Sequence, residues 1–269
     1  AYLLLKTARQ GIVWTTRMHL LFMQLTKTDS TQNKFFIAAP FGNYIRHENA
    51  INVKGTYTIL PRPGLIKQLI RTLRYDFSKK GWKNELGLRN PGIRYGLNKY
   101  RNNGKEVISI AAILPIDWVD FANKIPDHVN LELNLSCPNI DKVEIDYKTL
   151  EKFYNAFWDN KREWCIAKIS PLSTEDEIKR LLDIGFGQIH CSNTLPITGG
   201  GLSGKELISY TIKHIDYIKT QFPSVKIIAG GGINHIDIVN YYKSKGADYF
   251  SLGTVCFTPW KLSKILNAK

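Results

Sequence analysis

Asn130-Leu131-Glu132-Leu133-Asn134-Leu135-Ser136-Cys137-Pro138-Asn139 is the stretch on which the fold turns. Its first half alternates: Leu131, Leu133 and Leu135 fall on one face, and Asn130, Glu132 and Asn134 on the other. A period of two marks a strand. Pro138 ends the pairing and leaves a thiol, Cys137, and an amide, Asn139, at the carboxyl end. In parallel α/β proteins that end of a strand is where chemistry is done.

Short apolar runs of the same kind recur on both sides: Phe35–Ala39, Val53–Tyr57, Val107–Ala112, Trp164–Ile169, Gln188–Cys191, Val225–Ala229 and Tyr249–Leu252. With Leu131–Leu135 they make eight candidate strands, separated by segments of helical period. Thr174 followed by Glu177 reads as a capping box, with Gly185 just past the helix end, and Gly246 closes the helical segment His235 to Lys245. Eight strands alternating with helices predict a closed parallel (β/α)8 barrel of the TIM type, an α/β fold, over residues 35–269. The chain has 269 residues, 43% hydrophobic and 22% charged, and no linker rich in Gly, Pro or Ser divides it. One barrel of about 250 residues accounts for that length.

Two regions break the rhythm. Residues 58–104 are too long for a simple connection; they hold a helical stretch, Leu65 to Lys79, and a loop rich in Asn, Gly and Pro from Gly81 to Gly104. Long loops on the active face of a barrel are usually functional. Residues 1–34 form an N-terminal extension whose first acid is Asp29, after Lys6, Arg9, Arg17 and Lys27. Such a segment reads as an amphipathic helix packed under the barrel or as a targeting or membrane-surface leader.

The net charge of +14 implies solubility and a preference for anionic ligands. The basic residues are spread along the chain without an arginine-rich or aromatic-interleaved patch, which argues against nucleic acid. Cys137, Cys165, Cys191 and Cys256 show neither C-x-x-C spacing nor nearby histidine pairs, so neither a metal site nor a disulfide framework is expected. A reducing, cytoplasmic compartment follows, and no apolar run approaches the ~20 residues needed to span a bilayer.

Three glycine turns follow the last three strands: Gly199 to Gly204, Gly230-Gly231-Gly232, and Gly253-Thr254. Glycine lets backbone N–H groups approach an anion, and barrels of this type commonly hold phosphate after strands seven and eight. Lys168 ends the fifth strand between apolar neighbours and is expected in the barrel mouth, beside a phosphate, an electron-rich ring or an ion-pair partner.

N-L-S-C-P-N at 134–139 resembles the active-site motif of the dihydroorotate dehydrogenase family, FMN-dependent barrels of pyrimidine biosynthesis. Further matches run in family order: N-E-L-G-L at 84–88, A-K-I at 167–169, S-N-T at 192–194, G-G-L-S-G-K at 200–205, A-G-G-G-I at 229–233 and L-G-T at 252–254. The resemblance implies oxidation of dihydroorotate to orotate with FMN as cofactor. Cys137 would be the general base. Asn84, Gly87, Leu88, Asn134, Asn139, Asn193 and Thr194 would hold the substrate. Ala38, Ala39, Thr56, Asn134, Lys168, Ser192, Gly204, Gly231, Gly232, Gly253 and Thr254 would hold the cofactor. Cysteine rather than serine as base resembles the soluble, class 1 enzymes. A homodimer is one open assembly, and fumarate, a quinone or an NAD-linked partner subunit is the acceptor.

Certain positions depart from the family pattern. Family members carry a lysine in the first or second strand region that touches flavin and substrate, whereas Asn43 and Gly55 stand at those two places here. Lys54 is one residue away, on the opposite face of its strand. Pro40 stands where glycine is usual. Alternative readings are another FMN barrel such as a dihydrouridine synthase, whose motif has glycine where Ser136 precedes the Cys-Pro pair; a non-redox phosphate-binding barrel, which leaves the asparagines unexplained; and a catalytically impaired relative.

Overall fold

The computed structural model describes residues 34–136, 147–157 and 162–268. Eight parallel strands close into a barrel: β1 (Phe35–Ile37), β2 (Ala50–Tyr57), β5 (Glu106–Ile110), β6 (Leu131–Asn134), β7 (Cys165–Lys168), β8 (Gln188–Cys191), β11 (Lys226–Gly230) and β12 (Tyr249–Leu252). All eight expected strands are present, with ends shifted by up to three residues. Gln188–Cys191 and Tyr249–Leu252 fall where the sequence puts them.

Alternation along each strand sorts the side chains. Leu131 and Leu133 join the outer core between barrel and helices, with Ile108, Ala167 and Ile189, and with Ile178 and Leu181 from the helix Glu175–Ile184. Phe36, Ile51, Val53, Val107, Trp164, Ile166 and Ile228 form a second apolar cluster. They belong to the opposite strand face, so they fill the barrel's interior. Phe36 and Tyr249 both meet the Trp164 ring edge-on, at centroid distances of 5.0 and 5.1 Å. Towards the carboxyl ends of the strands the interior becomes polar, with Ser109, Glu132, Asn134, Lys168, His190 and Ser251 all buried. The capping box is present: Thr174 Oγ1 accepts from the Glu177 N–H at 3.2 Å, and Glu177 Oε2 accepts from the Thr174 N–H at 2.9 Å.

The loops differ from the sequence expectation. The helix begun at Leu65 ends at Thr72, and Arg74–Asp76 (β3) is a strand. The expected loop after it contains β4 (Gly81–Asn84) and the helix Ile93–Lys99. The glycine stretch 199–204 is a hairpin turn and a strand, not a phosphate turn as a whole: β9 (Leu195–Ile197) and β10 (Gly200–Gly204) pair antiparallel. β10 also pairs with β4, so these segments make a four-stranded sheet in the order β3-β4-β10-β9. The pairing needs Gly81 as glycine, because a Cβ there would stand 2.4 Å from the Ser203 carbonyl. Trp82 of β4 packs at a tilt of 44° against Phe257 beyond β12, with centroids 4.7 Å apart, and so ties this sheet to the barrel rim.

Candidate active site

A cavity of about 1220 Å³ opens at the carboxyl ends of the strands. It is lined by Ala38, Ala39, Thr56, Asn84, Leu88, Asn134, Lys168, Ser192, Asn193, Thr194, Gly204, Gly231, Gly232, Gly253 and Thr254, which the strand ends and the loop sheet bring together from across the sequence. Gly87 lies between the lining residues Leu86 and Leu88, and its carbonyl accepts from Arg62 Nε at 3.3 Å. Cys137 and Asn139 lie outside the described residues. Ser136, the last described residue before them, is half-buried, and its carbonyl accepts from Asn193 Nδ2. Cys165, Cys191 and Cys256 are buried thiols, as expected of core and wall positions, and burial pushes the Cys165 and Cys256 thiols up to about 12.

The polar floor of the cavity is organised by Glu132. Ser109 donates to Glu132 Oε1 at 3.0 Å, His190 Nδ1 lies 2.7 Å from Oε2, and the Lys168 ammonium stands 3.8 Å from Oε1. Burial pushes the Glu132 carboxyl up, but Lys168 and the bonds from His190 and Ser109 outweigh it and hold the group at about 2. Burial pushes the His190 imidazole down further than Glu132 pulls it up, so the ring is neutral and donates from Nδ1. Its Nε2 faces Gly230, where a Cβ would come within 3.0 Å. His190 and Ser109 had no role in the sequence reading. The signal that could have found them is Glu132, a charged residue on the inward face of the opening strand.

Above the floor, Asn134 and Asn193 are joined: Asn193 Nδ2 donates to Asn134 Oδ1 at 2.9 Å, and Asn134 Nδ2 donates to Thr56 Oγ1 at 3.3 Å. At the far side of the mouth, no described residue takes the backbone N–H groups of Gly231, Gly232, Gly253 and Thr254, all half-buried. Gly231 and Gly232 have φ of 91° and 71°, and successive left-handed residues suit a concave anion nest.

Lys54 also borders the cavity, but its ammonium is not part of this set of polar groups. Its ammonium is held by Glu106 Oε2 at 2.5 Å and the Lys99 carbonyl at 2.9 Å. Both side chains leave the strand faces opposite the inward Val53 and Val107, so the pair lies outside the barrel wall. Asn43 does not replace it: its amide bonds the backbone N–H and carbonyl of Gly55 at 3.2 and 3.3 Å, and Oδ1 accepts from Tyr57 Oη at 3.1 Å. Among the described residues no group of three or more His, Cys, Asp or Glu could hold a metal ion. No helix among them is long and apolar enough to cross a membrane.

The family model described as dihydroorotate dehydrogenase matches residues 45–267. The chain is 31% identical over 242 residues to "Dihydroorotate dehydrogenase B (NAD(+)), catalytic subunit" of Halalkalibacterium halodurans, covering 80% of this chain and 77% of that one. It is 30% identical over 227 residues to the protein of the same name from Fusobacterium nucleatum, covering 73% and 74%. Among solved structures, ligand-free DHODH from Eimeria tenella aligns with a TM-score of 0.65 at 18% identity, covering 80% of this chain and 75% of that one. That likeness speaks for the fold.

Proposed function

The chain belongs to the dihydroorotate dehydrogenase family, and we propose that it acts through an FMN held in the barrel mouth. It is an oxidoreductase that converts dihydroorotate to orotate in pyrimidine biosynthesis. The observation that carries the FMN assignment is the meeting, in one cavity, of Lys168, the joined Asn134 and Asn193, and the glycine N–H groups after β11 and β12.

The residues suit the cofactor. Gly204, Gly231, Gly232, Gly253 and Thr254 would take its phosphate, and the unpartnered N–H groups of the last four are what an anion requires. Lys168 would lie beside the ring system, with Ala38, Ala39, Thr56, Asn134 and Ser192 as further walls. When bound, FMN supplies the hydride acceptor, and that chemistry belongs to the cofactor. Asn84, Gly87, Leu88, Asn134, Asn139, Asn193 and Thr194 would hold the substrate ring and its carboxylate, since an asparagine offers donors and an acceptor in one plane. Cys137 follows Asn134 by three residues in the matching motif and would take the C5 proton. A thiol has an ordinary pKa of about 8.5, and nearby positive charge lowers it. The relatives' names include NAD(+) and a catalytic subunit, which favours an NAD-linked partner subunit as electron acceptor over fumarate or quinone. A cytoplasmic location and a homodimeric catalytic chain complete the proposal.

Dihydroorotate added anaerobically to the yellow FMN-loaded protein should bleach it. A protein that binds FMN and stays yellow loses the assignment. Cys137→Ala should keep FMN and slow that bleaching by at least ~10²-fold. Near-normal reduction would remove Cys137 from the proton transfer.

A further inference from the structure

The hydrogen bonds in the mouth form one chain with a single direction. An ionised carboxylate can only accept, and a serine hydroxyl has one proton. Ser109 spends its proton on Glu132 Oε1. At the contact of 2.9 Å between Thr56 Oγ1 and Ser109 Oγ the donor must therefore be Thr56. With its proton committed, Thr56 Oγ1 accepts from Asn134 Nδ2, which leaves Asn134 Oδ1 to accept from Asn193 Nδ2. Asn193 gives its other N–H to the Ser136 carbonyl, and its Oδ1 accepts from the Thr194 N–H at 2.9 Å.

An amide side chain has two orientations of nearly equal shape, and only its neighbours select between them. Asn193 is set locally, because the Ser136 carbonyl can only accept and the Thr194 N–H can only donate. Asn134 is set from both sides, by Asn193 and, through Thr56 and Ser109, by Glu132. We infer that Ser109 is a positioning residue for substrate recognition: it transmits the acceptor character of Glu132 to Thr56 and so, together with Asn193, fixes which edge of Asn134 donates and which accepts. Among the described contacts, this leaves one N–H of Asn134 and spare lone pairs on Asn134 Oδ1 and Asn193 Oδ1 for a ligand. That set matches a planar ring with adjacent carbonyl and N–H groups, and the reverse orientation would meet it with like against like. The inference rests on reading Asn134 and Asn193 as the amides that hold the ring.

Ser109→Ala cuts the chain at one atom and keeps Glu132 in contact with His190 and Lys168. Thr56 is then free to donate towards Asn134 instead, so Asn134 loses one of the two neighbours that set its orientation, while Asn193 keeps its backbone partners. Ser109→Thr keeps the hydroxyl. In protein labelled with 15N at asparagine, the side-chain signals of Asn134 should shift or broaden in Ser109→Ala and stay near parental positions in Ser109→Thr, with those of Asn193 the less affected. Orotate titrated into the FMN-loaded forms, followed by the flavin spectrum, should bind at least tenfold more weakly to Ser109→Ala. Ser109→Thr should be within threefold of the parent, and FMN affinity should be within threefold for all forms. Unchanged asparagine signals in Ser109→Ala overturn the inference, as does orotate affinity within twofold of the parent. If the parent binds no orotate yet its asparagine signals respond to loss of Ser109, the orientation stands and the substrate reading fails.

Discussion

Two buried lysine–glutamate pairs face away from each other across one barrel wall. Lys54 and Glu106, outside, are 2.5 Å apart, and each has a further backbone partner: the Lys99 carbonyl for the ammonium and the Arg101 N–H, at 2.8 Å, for the carboxylate. Lys168 and Glu132, inside, stand 3.8 Å apart, because Ser109 and His190 have already claimed the carboxylate. In the outer pair each charge has its opposite charge and a backbone group in hydrogen-bond contact. The inner pair leaves its ammonium facing the cavity, held near a negative charge without being satisfied by it. Desolvated charges that are fully matched serve the fold, and a mismatched one is available to a ligand.

The largest test of this contrast is Lys54→Met, which strands the Glu106 carboxylate in the outer core. It should cost about 3–5 kcal/mol in urea unfolding, with most of that recovered when Glu106→Leu is added. FMN affinity should stay within twofold, and a tenfold loss would mean that the outer lysine reaches the ligand after all. Next comes acid. Glu132 is held at about 2 in the folded chain, against an ordinary value of 4.5. Its contribution, about 3 kcal/mol, is therefore complete above pH 4.5 and lost as the pH falls towards 2. The neutral, buried His190 adds a loss of the same sign that begins nearer its ordinary 6.5, and in denaturant melts across pH His190→Asn should remove that part and, by changing one of the bonds to Glu132, reduce the loss below pH 4.5 as well. Lys168→Met should weaken FMN binding by about 1.5–3 kcal/mol, read by fluorescence titration. An unchanged affinity would make the inner pair as structural as the outer one. The smallest effect calibrates the others: Thr174→Ala removes a helix cap remote from both pairs, and should cost about 1 kcal/mol with no change in FMN binding.

The barrel was legible because its signals are local. Each strand announces itself in four to six residues, and Leu131, Leu133, Glu132 and Asn134 take the faces that their alternation assigns. Thr174 and Glu177 likewise need only each other. The loop sheet was illegible for the opposite reason. Gly200–Gly204 pairs with its neighbour β9 and, on its other edge, with Gly81–Asn84, over a hundred residues earlier, and three glycines in a row give no hint of that distant partner. The helix from Leu65 stops at Thr72 for a similar cause, since Arg74–Asp76 pairs with β4 instead of continuing the turn. In the site, the asparagines and Lys168 could be found from motif and strand position. Glu132, a charge on the inward face of its strand, signals that buried partners must exist, but that His190 and Ser109 are those partners cannot be read along the chain.

The sheet β3-β4-β10-β9 also bears on how such a chain can diverge. It joins the loop after β2 to the loop after β8, with Trp82 set opposite Ser203 and Gly81 opposite Gly204. Neither loop can be exchanged with a relative's alone, since the edge it leaves behind was shaped for its old partner. A hybrid that transplants both should fold with the donor's rim intact, whereas single transplants should yield poorly folded protein. Inheritance at this rim therefore works by the couple, and substitutions in the first loop are expected to travel with substitutions in the second.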